Sequence, residues 1–295
     1  MVVVLCVAAV AVAHWWRVSL PYDATRLVSA LPVERSTVLY LDTGQLRRSG
    51  LLEVLAGSKA MEEPDYRKFV EETGFDYRTD LDAVAAAFAE NRFYATLRGR
   101  FRWQQLTAYA ESQGGECHYS VCTMLGSNPE HNISFYPLKS DVLALAVSTD
   151  PRAVTSIVSG GKEQVPVPRD PVWISVPAAS FNRLDAFPAG AHAFLSPLAD
   201  AEKIVFAAGP QGDRLQLRLE VACATPAAAA EMVKQFSSMT GLLKSMIERE
   251  HMTPNPRDLS GVLVAGSFEQ RQSTVIGTWP LERSFVEALA SGQIQ

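Results

Sequence analysis

The chain has 295 residues, 47% apolar and 20% charged, which suits two folded domains of ordinary size and excludes wholesale disorder. Its 27 Lys+Arg against 32 Asp+Glu give a net charge of −5, and no basic run is longer than "LRR". A nucleic-acid surface needs cations gathered on a stripe, so nucleic acid is not the expected partner.

The N-terminus, "MVVVLCVAAVAVAHWW", passes sixteen residues before its first charge at Arg17. A spanning helix needs about 20 apolar residues, and Trp15, Trp16 and Arg17 suit the headgroup level. Residues 1–20 are expected to form a hydrophobic anchor helix. The competing readings are a cleaved signal peptide, with "AVA" (Ala11 to Ala13) as the cleavage site, and a buried hydrophobic helix. The tryptophans continue the apolar surface past "AVA", which favours the anchor. No Lys or Arg precedes the run, and Arg17 alone would argue for the opposite orientation. A start further upstream is the expectation that reconciles the two.

After the anchor, "TVLYLD" (37–42) reads as a strand and "TGQLRRSGLLEVL" as a helix, with Leu46, Leu51, Leu52 and Leu55 on one face. "EEPDYRKFVEET" is a polar helix closed by Gly74. "DLDAVAAAFAE" and "RFYATLRGRF" read as paired strands, and "RWQQLTAYAESQGG" as a helix. Three extended segments follow: "ECHYSVCTML", "ISFYPL" and "DVLALAV". A helix is expected from Asp150 and Pro151. "GGKEQVPVPRDP" (160–171) is the best linker and divides the chain near Val165.

Residues 166–295 repeat the grammar of residues 21–165. "VWISVP" is a strand, "ASFNRLDAF" a short helix, and "AEKIVFAAG" with "DRLQLRLEVACA" a hairpin. A long helix starts at Thr225 and Pro226, with Met232, Phe236, Met239, Leu243 and Met246 in one stripe. "GVLVAGSFEQ" and "STVIGTWP" read as strands and "LERSFVEALASG" as a closing helix. The expected fold is α+β, two similar antiparallel-sheet-plus-helix units that point to a duplication.

Cys117 and Cys122 admit three readings: a disulfide, free thiols or a metal site. A zinc site needs four ligands, and no second pair accompanies this one. Redox motifs of the thioredoxin kind place two residues between their cysteines, not four. If Tyr119 and Ser120 form a turn, His118 faces Val121 and Cys117 faces Cys122, which favours the disulfide. Cys223, in an alternating strand, reads as a small buried hydrophobe.

Asp76, Asp80 and Asp82 lack EF-hand spacing and read as turn and cap residues. The histidines lack ligand spacing, and neither His-Glu-x-x-His nor G-x-S-x-G occurs. No metal and no cofactor is expected. The Met-rich stripe suits core packing first, and an adaptable groove for a partner or apolar ligand second.

The segments "LPVERSTVLYLDTGQLRRSGLLEVL" and "PDYRKFVEETGFDYRTDLDAV" are similar to those of uncharacterised bacterial membrane-anchored proteins with tandem extracytoplasmic α/β units. The resemblance implies a single-pass protein of the bacterial inner membrane with its bulk outside the cytoplasm, or a secreted one if the segment is cleaved. It implies no activity. The function expected is non-enzymatic binding or scaffolding. One alternative is a hydrolase or transferase with its site between the two units, drawing on His118, His131 and Asp141. Another is an apolar-ligand carrier with a cavity beneath the long helix.

Overall fold

The computed structural model describes residues 22–56, 64–89, 91–126, 128–157, 167–182, 195–211, 214–251, 253–255 and 258–290. Asp23 caps helix α1 (Ala24–Ser29), its carboxylate accepting from the Arg26 amide at 2.9 Å. Strand β1 (Thr37–Leu41) runs into Asp42, which caps α2 (Thr43–Arg48) by accepting from the Gln45 amide at 2.7 Å. The single helix expected over 43–55 is two. Gly50, at φ 70°, ends the first, and α3 (Leu51–Ala56) begins again.

Helices α4 (Pro64–Thr73) and α5 (Tyr77–Asp80) lead to the hairpin of β2 (Leu81–Ala89) and β3 (Arg92–Gly99). Alanine prefers helix, yet "AVAAAFA" is strand. Ala83, Ala85 and Ala87 alternate onto one face and are fully buried in the cluster that holds Leu27 and Val28 of α1. Their small side chains let the helix sit close, so tertiary packing overrides local propensity.

Helix α6 (Trp103–Ser112) ends at Gly114, φ 77°, before β4 (Glu116–His118), β5 (Val121–Leu125), β6 (Asn132–Lys139) and β7 (Val142–Ser148). The helix expected from Asp150 is a single 3-10 turn, Ala153–Ser156. The Asp150 carboxylate is spent on the nearby Arg152 amide at 2.8 Å, tightening a turn instead of opening a helix.

The second half comprises β8 (Val172–Val176), 3-10 turns at Ala178–Asn182 and Ser196–Asp200, β9 (Lys203–Gln211) and β10 (Arg214–Ala222). It continues with α7 (Pro226–Arg249), α8 (Leu259–Val264), β11 (Ser267–Arg271), β12 (Thr274–Leu281) and α9 (Arg283–Ala290). Thr225 caps α7 as its sequence required, accepting from the Ala228 amide at 3.1 Å. "GVLVAG", expected as strand, is helix α8 because Asp258 caps it through the Gly261 amide.

Among the described residues, twelve strands form one antiparallel sheet, ordered β11-β12-β10-β9-β8-β1-β2-β3-β7-β6-β5-β4. Counted outward from the β1–β8 seam, the two arms run β1-β2-β3-β7-β6 and β8-β9-β10-β12-β11, the same order twice. Strands β5 and β4 lengthen the first arm. The boundary expected near Val165 lies outside the described residues, and the sheet is continuous across the seam, Tyr40 pairing with Trp173.

Among the described residues, three clusters make the core. One face of the first arm packs beneath α1 and the turn at Ala153–Ser156. On the other face Leu106 and Ala110 of α6 pack on Cys122, Phe135 and Leu143. That same face of the second arm packs beneath α7, α8 and α9, with Met232 and Phe236 among Val221, Val275 and Trp279. Both edges are blunted against further pairing. Strand β4 has three residues, and β11 exposes Glu269 and Arg271, which pair with each other.

Residues 1–20 lie outside the described residues. Among those described, no helix is long and apolar enough to cross a membrane.

Candidate functional site

An open apolar feature is built from one rung of the first arm. Register places Phe88 opposite Phe93, Phe93 opposite Val147, and Val147 opposite Ile133, so four apolar side chains share one face across β2, β3, β7 and β6. The Phe88 and Phe93 rings meet at 5.1 Å. The rung carrying Ala95, Leu145, Phe135 and Cys122 lies one step further along, where α6 begins to cover the sheet.

The reason is length. Ten helical residues span about 15 Å, whereas the eight residues of β3 span about 27 Å. The result is a groove of about 650 Å³, rimmed by Asn91, Arg92, Gly126, Asn128 and His131. Phe88 is 43% exposed on its floor, which a core phenylalanine is not.

Two turns hold the rim. Asn91 sits at φ 35° in the β2–β3 turn, a conformation asparagine tolerates. In the β5–β6 turn the Gly126 amide donates to the His131 carbonyl at 2.8 Å, and the Glu130 amide donates to the Asn128 carboxamide oxygen at 3.1 Å. The described lining offers one imidazole and no carboxylate, hydroxyl or thiol.

Cys117 and Cys122 are disulfide-bonded and directly opposed in the β4–β5 pair. Tyr119 and Ser120 form the turn between them, at φ 50° and 71°, the signature of a type I′ hairpin. Cys223 is free and buried, and burial, with Glu202 nearby, pushes its thiol pKa up, which makes it inert.

The long-helix stripe divides along its length. Met232 and Phe236 are core, Met239 packs against that core, Leu243 is half-buried and Met246 is 50% exposed. Phe236 stacks on Phe268 at 5.0 Å, and Phe268 meets Trp279 edge-on at 5.3 Å. Aromatic rings thus fill the space beneath Phe236.

His118, His131 and Asp141 do not converge. His131 precedes β6 and Asp141 follows it, so about 27 Å of strand separates them. His118 is two strands away on the clipped hairpin, beside Glu116 at 3.3 Å. Among the described residues no group of three or more His, Cys, Asp or Glu is placed to hold a metal ion.

The aspartates of "GFDYRTDLD" are structural. Asp76 caps α5 and accepts from the Arg78 amide and guanidinium and from the Tyr66 hydroxyl. Burial opposes its charge, but those donors outweigh it and hold its pKa below the usual carboxylate value. Asp80 is held down likewise, burial again opposing, by the Asp76 amide and Arg100.

The groove was not anticipated from the sequence. Its signal is "FAENRF": an alternating hairpin should bury what flanks its turn, and here two phenylalanines flank it on one face.

The fold defines an α+β protein with a large antiparallel sheet and helices on its faces. No protein-family model and no curated protein matches the chain. Its fold is shared with TP0453, a Treponema protein. Crystal form I matches with a TM-score of 0.50 and 13% identity over 91% of this chain and 97% of that one. Crystal form III matches with a TM-score of 0.50 and 11% identity over 90% and 96%. At that identity the likeness speaks for the fold alone.

Proposed function

We propose that this chain is a bacterial membrane-tethered, extracytoplasmic binding protein, without enzymatic activity, whose groove seats apolar side chains of a partner protein. The uncovered Phe88–Phe93–Val147–Ile133 rung carries this reading: a contiguous apolar floor with a polar rim is the anatomy of an interface anchor pocket. The apolar run before Arg17 supports the tether, and the Cys117–Cys122 disulfide suits an oxidising compartment. The matching strand order of the two arms supports their origin by duplication, with the units meeting near Val165. In this reading Leu242 and Met246, exposed on α7, are a second and smaller contact.

The hydrolase reading loses its residues, because His118, His131 and Asp141 stand apart. The carrier reading loses its location, because Phe236, Phe268 and Trp279 pack where its cavity was expected.

The test is a photo-crosslinking residue at position 133 of the full-length protein in its producing cells, with position 216 on the opposite, polar sheet face as control. A discrete protein adduct from 133 alone is expected. Adducts to lipid or metabolite would favour a carrier, and equal labelling at both positions would end the proposal. Fractionation of full-length and residue 1–16-deleted forms tests the tether, which predicts membrane association for the first only.

A further inference from the structure

We infer that the sheet end carrying Tyr22, Lys139 and the Cys117–Cys122 hairpin rests on the lipid bilayer, with Tyr119 as a headgroup-level contact. The inference rests on the tether reading above and adds an orientation and a surface to it.

The first described residue, Tyr22, sits at a fixed place. Tyr22 is 7% exposed; Arg98 donates to its carbonyl at 2.6 Å, and the Lys139 ammonium lies 5.1 Å from its ring centre. Arg98 is near the end of β3 and Lys139 ends β6, so Tyr22 marks that end of the sheet. The apolar run closes with Trp15, Trp16 and Arg17. From Trp16 to Tyr22 is six residues, whose contour cannot exceed about 20 Å in any conformation. With those tryptophans at headgroup level, this end of the sheet cannot stand far from the bilayer.

The clipped hairpin points the same way. Cys122 pairs with Phe135, so the strand continues past Tyr136 toward Lys139, and Val121, Tyr136 and Leu138 all pack on the cluster that holds Tyr22. Tyr119 at the tip is 102% exposed. It occupies a left-handed turn position that favours Gly or Asn, and a bulky side chain there costs about 1–2 kcal/mol. A fully solvated tyrosine does not offset that cost within the fold, and the disulfide beneath it keeps the tip in place. Tyrosine combines an apolar ring with a polar tip, which suits the headgroup region. Trp103 stands at the same end, its indole donating to the Ser140 carbonyl at 3.0 Å. Arg100 is paired with Asp80, whereas Arg98 and Lys139, held against the Tyr22 carbonyl and ring, keep their charge. The Tyr119 contact itself is uncharged and is tested on zwitterionic lipid.

The groove lies at the other end of the same strands. Phe93 is five residues from Arg98, and Ile133 is six from Lys139, about 17–20 Å along the sheet. It opens away from the bilayer, toward a partner in the aqueous compartment.

Full-length protein carrying benzoylphenylalanine at position 119, or at position 125 as a control, is reconstituted into phosphatidylcholine vesicles, irradiated and digested. Leu125 is 65% exposed and lies at the groove end. Lipid adducts on the peptide containing 119 and none on that containing 125 are expected. Flotation of the same vesicles reads the tether separately. Protein that floats but yields no adduct at 119, or equal adducts at both positions, overturns the orientation while leaving the tether standing. Protein that does not float overturns the tether and the orientation together.

Discussion

Tyr40 and Trp173 stack across the β1–β8 seam, their rings 5.7 Å apart, and so join the two arms of the sheet. Trp173 is 1% exposed, yet its indole nitrogen has no hydrogen-bond partner among the described residues. The ring is held by packing alone. Trp173→Ala should cost about 3–5 kcal/mol, read as a lowered denaturation midpoint. Trp173→Phe should cost markedly less, since it keeps an aromatic on Tyr40 and removes an unsatisfied donor. Equal losses for the two variants would mean that the indole nitrogen does have a partner.

Burial of Tyr40, with Asp42 adding to the effect, pushes its phenol up to about 12, and burial does the same for Tyr66. A folded-state value above the ordinary 10 means the folded protein holds these protons more tightly than the unfolded chain. Their contribution is therefore complete below pH 10 and lost as pH rises toward 12. Urea unfolding midpoints should fall across that window, and Tyr40→Phe should flatten the fall while leaving neutral stability nearly unchanged.

Asp76 and Asp80 act at the opposite limb. Their folded pKa values lie below 3.8, so what they add is fully present above 3.8 and is lost as pH falls from there through the lower folded values. Asp76→Asn keeps the shape but loses the charge-assisted bonds to Arg78, and should cost about 1–2 kcal/mol at neutral pH. Once the pH has fallen through the lowered folded value of Asp76, wild type and variant should converge. A variant that stayed equally weaker in acid would point to lost geometry instead of lost charge.

Much of this was legible before the structure. The Tyr119–Ser120 turn followed from residue spacing, and Thr225–Pro226 named the start of α7, because hairpin register and helix capping are local. What was hidden depended on neighbours. Two helices replaced one at Gly50, since a glycine's φ is invisible in sequence. "GVLVAG" is apolar enough for either state, and the Asp258 cap decided it. The stripe on α7 had the right period, but only packing on Phe268 and Trp279 separates Phe236 from Met246. The groove was least legible, because it exists where α6 falls short of a rung formed by four separate strands.

The disulfide closes a short loop, with a sequence separation of 5, so removing it should cost only about 2 kcal/mol. Cys117→Ser with Cys122→Ser should unfold slightly earlier and otherwise keep the global fold. The loss should be local, because β4 is a three-residue edge strand with few other ties. Amide exchange of Val121 and Thr123 should quicken, while Ala144 and Ala146 in the interior strand stay protected. Quickened exchange throughout the sheet would show that the clip supports the whole fold.

Phe88 separates binding from stability. At 43% exposure it contributes little to the core, so Phe88→Ser should move the denaturation midpoint by no more than about 1 kcal/mol. It is nevertheless the largest exposed apolar surface in the groove, and a serine there would put a hydrated hydroxyl where a partner's side chain must desolvate. Crosslinking from position 133 should then fall roughly tenfold, the equivalent of about 1.4 kcal/mol of binding. Phe236→Ala is the mirror image. It should cost about 3–5 kcal/mol of stability through the Phe268 stack, yet leave crosslinking from the folded fraction unchanged. If Phe88→Ser spared the crosslink and Phe236→Ala abolished it, the partner would sit on α7 and the groove would be bystander surface.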